Sequence, residues 1–167
     1  MSDDRDRRWL ERLWAEHGDQ VFAYAARRVG ATEGEDVVAE VFVVAWRHRS
    51  RRPRHELPWL YGVARNVISD HYRSSRRRGR LLERVKSLPA DSGDTIDADL
   101  DWIAVDSVLD SLSDDDREAL LLTAWEGLKP REAAEVLGIS SAAFRMRLSR
   151  ARRRLRDLLA EKREETE

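Results

Sequence analysis

Between Ser87 and Asp101 the chain reads SLPADSGDTIDADLD, and no regular element can hold that stretch. Pro89 and Gly93 interrupt it, Asp91, Asp94, Asp97, Asp99 and Asp101 repel one another, and its apolar residues follow no helical period. Such a segment buries too little surface to offset the entropy of ordering it. A chain of 167 residues divided there cannot build one continuous core. It is expected to fold as two small units, over 8–86 and 102–160, joined by a flexible acidic linker over 87–101.

The same division organises the charge. The formal net charge is only −1. Residues 1–88 nevertheless carry 19 Lys and Arg against 13 Asp and Glu, residues 89–118 carry 1 against 11, and residues 119–167 carry 11 against 8. Two cationic blocks flank an anionic one, so partners with negative charge are expected at both ends. Ala, Leu, Glu and Arg dominate and strict alternation is scarce, which predicts an all-α fold of two small helical domains. The absence of cysteine excludes disulfides and thiolate metal sites. No apolar run reaches the roughly 18 residues of a membrane span. The start MSDDRDRRW is too acidic for a signal peptide, which leads to an expected cytoplasmic location.

In the first part, Leu10, Leu13, Trp14, Val21, Phe22 and Ala25 recur at helical spacings, with a break expected near Gly18 and a stop at Gly30. Val37, Val38, Val41, Phe42, Ala45 and Trp46 form a second stripe, with acids before it and bases after it as the helix dipole favours. SRRPRHELP reads as a loop, and Pro58 falls in the first turn of a third helix. One side of that helix carries Leu60, Val63, Ala64, Val67 and His71. The other carries Gly62, Arg65, Asn66, Ser69, Tyr72 and Arg73.

In the second part Ser113 is placed to cap a helix, with Asp114 and Asp115 in its first turn and Asp116 three residues on. That helix runs through Leu120, Leu121, Ala124 and Trp125 and stops at Gly127. A short helix from Pro130 to Leu137, the turn LGIS and a long helix from about Ser141 follow in the order of a helix-turn-helix. Ala134 permits a close helix crossing, Gly138 the left-handed turn conformation, Ile139 a plug and Ser140 or Ser141 a cap. The long helix holds seven arginines between Arg145 and Arg156 and no acid before Asp157. Phe144, Leu148, Ala151, Leu155 and Leu158 share its apolar sector. Ser141, Ala142, Arg145, Met146, Ser149, Arg150 and Arg153 are the side chains that could reach base edges in a major groove. Arg147, Arg152, Arg154 and Arg156 suit phosphates or nearby acids. An arginine face can be merely solvated, but seven arginines behind this turn chemistry favour DNA binding.

PWLYGVARNVISDHYRSSRRR interleaves rings with bases, the combination that single-stranded DNA needs for stacking and backbone contact. Trp59 and Tyr61 read as core aromatics, whereas Arg65, Asn66 and Arg73 face outward. Together with EDVVAEVFVVAWRHR before it and LDSLSDDDREALLLTAWEGLKPREAAEVLGISSAAFRMRLSRARRRLRDLL after the acidic stretch, this segment resembles the bacterial RNA polymerase sigma factors of the extracytoplasmic-function group, over about residues 10–160.

That resemblance implies a region 2-like domain over 8–86 and a region 4-like domain over 102–160. It implies that Asp36, Glu40 and Trp46 lie in the helix that docks on the beta-prime clamp of core RNA polymerase, while the second domain meets the beta flap. The loop from Ser50 to Leu57, with Arg54 and His55, and Asn66 on the next helix resemble the part that captures a flipped base of the melted minus-ten element. Arg65, Arg73, Arg76 and Arg77 would hold phosphates there. Arg145, Ser149 and Arg150 align with the main contacts to the minus-thirty-five element, read as duplex. The resemblance further implies an anti-sigma factor as partner and a free protein that is a monomer, with no cofactor. Departures from the family pattern are Ala39 for a glutamine, SSAAF for EGTV or PGTV, and Ala133 for a larger aliphatic that Phe144 is expected to compensate.

Two other classes compete with that expectation. A stand-alone helix-turn-helix regulator would share the second unit, but it needs a ligand or dimerisation domain in place of the first. An enzyme has little support: His17, His48, His55 and His71 show no metal-ligand spacing with one another, and no phosphate loop or nucleophile motif is present. No catalytic residue and no metal site are expected. The linker reads as a solvated tether or as a screen between the basic domains and random DNA, and the resemblance implies a thread through a cationic channel of the polymerase.

Overall fold

A computed structural model of the chain describes residues 2–77 and 107–165, with backbone only at 2 and 75–77. The expected linker over 87–101 lies outside the described residues. The chain divides into two compact units, Met1–Ala90 and Asp91–Glu167. All described regular structure is helical, so the fold is all-α.

The first unit is built from α1 (Ser2–Val29), α2 (Ala31–Arg47) and α3 (Glu56–Arg77). α1 passes through Gly18 unbroken, against the expected break. Gly18 is buried, and the Trp14 ring one turn back lies 3.7 Å from where a Cβ would stand. Packing thus offsets the weak helix preference of one glycine. The real stop is Gly30, at φ 87°, whose N–H still donates to the Ala26 carbonyl at 2.9 Å. This positive-φ residue reverses the chain within one position, which makes α2 antiparallel to α1. Gly34 then lets α2 lie against α1: a Cβ there would be 3.2 Å from the Ala26 nitrogen and 3.3 Å from its Cα.

Leu13, Val21, Tyr24 and Ala25 of α1, Val37, Val41 and Ala45 of α2, and Leu60 and Ala64 of α3 are fully buried. Tyr24 and Tyr61 stack with centroids 4.9 Å apart, and the Arg28 guanidinium caps the pair 3.5 Å from the Tyr24 ring. The α1 stripe differs from its sequence reading at the tryptophans. Trp14 is 53% exposed and only leans on Phe42, whereas Trp9, outside the expected stripe, is 4% exposed. The reason is tertiary: Trp9 faces the start of α3, and nothing covers the outer side of Trp14 among the described residues.

The second unit opens with a helical stretch at 107–110. It continues with α4 (Asp114–Ala124), α5 (Pro130–Leu137) and α6 (Ser141–Glu164). Ser113 Oγ accepts from the Asp116 N–H at 3.2 Å, and Arg117 ties Asp114 and Asp110 together at 3.3 and 3.6 Å. Gly127 at φ 63° ends the α4 turn and lets Leu128 enter the core. Lys129 N–H donates to Glu132 Oε2 at 2.9 Å as α5 begins at Pro130. Gly138 sits at φ 66°, Ile139 N–H closes back to the Ala134 carbonyl at 3.1 Å, and Ser140 Oγ accepts from Ala143 N–H at 3.1 Å. Ser140, rather than Ser141, is therefore the cap. Phe144, Leu148 and Ala151 are buried with Leu112, Ala119, Leu122, Ala133 and Val136, while Leu155 and Leu158 are half-buried at the edge of the core.

Candidate nucleic-acid interface

The cap at Ser140 and the apolar sector of α6 determine which arginines face solvent. Ala142, Arg145, Met146, Ser149, Arg150 and Arg153 are exposed along one side, and Ser141 is half-buried at its head. Met146, 67% exposed, is the most open large apolar side chain described. A shallow groove runs between Pro130 at the start of α5 and Arg145, Leu148, Ser149, Arg152 and Arg156 of α6. Among the described residues Arg145, Arg150, Arg152, Arg153, Arg154 and Arg156 form no ion pair. Six guanidiniums therefore keep their donors available to an external anion. Arg147 is the exception: it turns back to Asp115 of α4 at 3.8 Å, the acid option of its two sequence readings.

In the first unit the loop over 48–55 and the outward side of α3 carry the second group. Arg54 and His55 are exposed in the loop, Asn66 and Arg73 are exposed on α3, and Arg65 is half-buried. Arg73 lies 3.8 Å from Asp70 with both side chains in water, a contact worth little. Arg76 and Arg77 lie on the last turn of α3, and their side chains are outside the described residues. Tyr61 is buried and Trp59 half-buried, the core roles expected of them, with the Trp59 ring against His48 at 5.7 Å. Tyr72 is exposed, and its hydroxyl donates to the Arg28 carbonyl at 3.2 Å.

Sequence reasoning missed what holds this loop. Glu56 receives two hydrogen bonds from Arg12, at 2.7 and 3.1 Å, and one from the Trp9 indole N–H at 2.9 Å. The Arg12 hydrogen bonds, aided by Trp9 and opposed by partial burial, hold the Glu56 carboxyl below its ordinary range. The same carboxylate raises Arg12. Glu16, His17 and Glu56 bring ligand-type atoms within 4.8 Å of one another. Arg12 already donates to both Glu56 oxygens and to Glu16 at 2.8 Å, so a guanidinium occupies the place of a cation. No spacing in the sequence signals this grouping, because Glu56 is 44 residues from Arg12.

The expected docking residues separate. Asp36 and Glu40 are exposed on α2, at about 100° per residue on one arc with Val43 and Arg47. Trp46 lies to the side, half-buried under the Arg49 guanidinium at 4.5 Å. Val43, 49% exposed, and Arg47 join Ala39, Glu40 and Val44 in a shallow apolar depression that the sequence reading did not single out. His71, placed by periodicity on the apolar side of α3, instead reaches Glu40 with Nε2 3.0 Å from Oε1. No described helix is long and apolar enough to cross a membrane.

Family models match both units: "Sigma-70 region 2" over residues 13–78 and "Sigma-70, region 4" over residues 102–155. The ECF RNA polymerase sigma factor SigL of Mycobacterium tuberculosis is 34% identical over 160 residues, covering 91% of this chain and 89% of SigL. The RNA polymerase sigma factor CnrH of Cupriavidus metallidurans is 35% identical over 170 residues, covering 92% and 88%. A probable RNA polymerase sigma factor of Xanthomonas campestris, RfaY, is 33% identical over 138 residues, which span 77% of this chain but only 34% of RfaY. Among solved structures, the sigma factor RpoE in complex with the anti-sigma factor NepR from Bartonella quintana superposes with a TM-score of 0.71 at 26% identity, covering 90% of this chain and 96% of RpoE. CnrH in complex with the cytosolic domain of CnrY gives 0.65 at 31%, covering 93% and 90%. Capped helix-turn-helix, cationic helix, preceding three-helix unit and these likenesses together place the chain among the ECF RNA polymerase sigma factors.

Proposed function

We propose that this chain is a dissociable initiation subunit that joins core RNA polymerase and directs it to a set of promoters, with no reaction of its own. In this reading the second unit reads a minus-thirty-five element as duplex through Ser141, Ala142, Arg145, Met146, Ser149, Arg150 and Arg153. The first unit captures the opened minus-ten strand with Arg54, His55, Arg65 and Asn66, while Arg73, Arg76 and Arg77 hold its backbone. The α2 arc of Asp36, Glu40, Val43 and Arg47 docks on the beta-prime clamp, with acids for basic groups and an apolar centre for packing. The observation that carries the reading is the row of arginines on α6 that form no ion pair among the described residues, directly behind a helix-turn-helix whose cap and left-handed glycine are in place. That surface supplies both the counterion-release term and side chains able to pair with guanine.

An anti-sigma factor is proposed as the controlling partner, since RpoE of Bartonella quintana was solved with one. The test is reconstitution. Purified chain and core polymerase should co-elute and give start-site-specific transcripts from promoters mapped after overproduction. Binding to duplex promoter DNA without polymerase, and no association with polymerase, would instead identify a stand-alone regulator.

A further inference from the structure

The loop over 48–55 is fastened at both ends to the N-terminal turns of α1. At one end Asp6 accepts from Arg52 at 2.8 Å and lies 3.7 Å from Arg49. At the other, Glu56 takes the Trp9 indole N–H and the Arg12 fork. Trp9 joins the two clamps, because the Arg52 guanidinium lies over its ring at 5.1 Å. Both carboxylates are largely covered, with side chains 17% and 21% exposed. Bonds of this kind, shielded and charge-assisted, are stronger than open surface pairs.

The sequence explains why such fastening is required. Arg49, Arg51, Arg52 and Arg54 crowd one short loop, and unpaired they would repel one another and spread it. Asp6 takes up two of them, and Arg54 and His55 are exposed. A site that must receive an unstacked base already meets the cost of flipping, and a loop ordered beforehand adds no further entropy loss.

We propose that Asp6 and Glu56 are positioning residues that hold the α2–α3 loop in its base-receiving shape before DNA arrives, so that α1 governs selectivity for the opened strand without touching it. The inference rests on the reading of this loop as the base-capturing element.

The test uses the full chain assembled with core polymerase. Its affinity is measured for single strands carrying the downstream element and for the same strands with one abasic site at each position in turn. The unaltered chain should lose about tenfold at one position, the size of one lost charge-assisted contact. In Asp6→Asn and Glu56→Gln the intact strand should weaken until that ratio is about twofold or less, while the affinity for the abasic strand stays the same. Asp6→Glu, which keeps the charge, should restore more than half of the ratio. Trp9→Phe keeps an aromatic ring but loses the indole N–H and part of the buried ring volume, and an intermediate ratio is expected. It decides the question should either carboxylate variant fail to fold. A full ratio in the folded variants overturns the inference. Absence of abasic sensitivity in the unaltered chain overturns the base-capture reading itself, and is seen before any variant is made.

Discussion

Glycine to alanine in a helix interior ordinarily stabilises by about 0.5–1 kcal/mol, through a smaller entropy loss on folding. Among the described residues of the first unit are two buried helical glycines at which the same substitution should act in opposite directions. At Gly18 a Cβ would meet the Trp14 ring at 3.7 Å, ordinary contact distance, so Gly18→Ala keeps the full gain. At Gly34 the neighbours are the Ala26 nitrogen at 3.2 Å, its Cα at 3.3 Å and the Ala25 carbonyl carbon at 3.6 Å. All three are backbone of α1 and cannot rotate away, so the two helices must separate locally by a few tenths of an ångström. Overpacking of this kind costs about 1–3 kcal/mol. Set against that propensity gain, Gly34→Ala should lose up to about 2.5 kcal/mol net. For a unit of this size each kcal/mol moves Tm by about 4–8 °C. Circular dichroism melts of the whole chain read the shift, and hydrogen exchange of α1 and α2 amides assigns it to this unit. Since propensity favours alanine at both positions, opposite signs for the two variants would report the helix contact. A rise in Tm for both would refute the close approach of α2 to α1.

Other outcomes follow from the same geometry. Phe144→Val, at a fully buried position, should destabilise the second unit by about 2–3 kcal/mol, and Ala133→Val should recover part of that loss if the two residues fill one space. A neutral melting temperature for Phe144→Val would argue against compensation. Arg150→Ala should cost about 1–3 kcal/mol at one position of the upstream element, whereas Arg154→Ala should weaken all promoters alike and lower the salt slope by about one. Indistinguishable profiles across promoter variants would contradict that division. Because Arg12 and Trp9 lower the folded-state value of Glu56, its stabilisation is present above the ordinary 4.5 and is lost as pH falls through the depressed value. The Tm advantage of the unaltered chain over Glu56→Gln should hold at neutral pH and vanish only in acid below the usual glutamate range. An advantage that grows on acidification would reverse the assignment.

The second unit was the more legible half. Its caps, its glycine stop and the apolar face of α6 depend on residues three to five apart, and helix geometry alone relates them. Ser113, Pro130, Gly138 and Phe144 take the places that spacing predicted, and Ser140 settles the choice between two adjacent serines. In the first unit periodicity found the faces of α2 and α3, but it could not choose between tryptophans five positions apart on α1. It likewise assigned His71 to a core it does not enter, since only the crossing of α2 and α3 brings Glu40 within reach.

Charge segregation, the helical class and the helix-turn-helix were all determined by the sequence itself, because each follows from composition or from contacts within one or two turns. Which carboxylates secure the α2–α3 loop, which arginines of α6 remain unpaired and how closely α2 approaches α1 were decided by the tertiary structure. Those properties join residues of different elements or depend on which neighbour a side chain finds, and only the packing of complete helices brings such groups together.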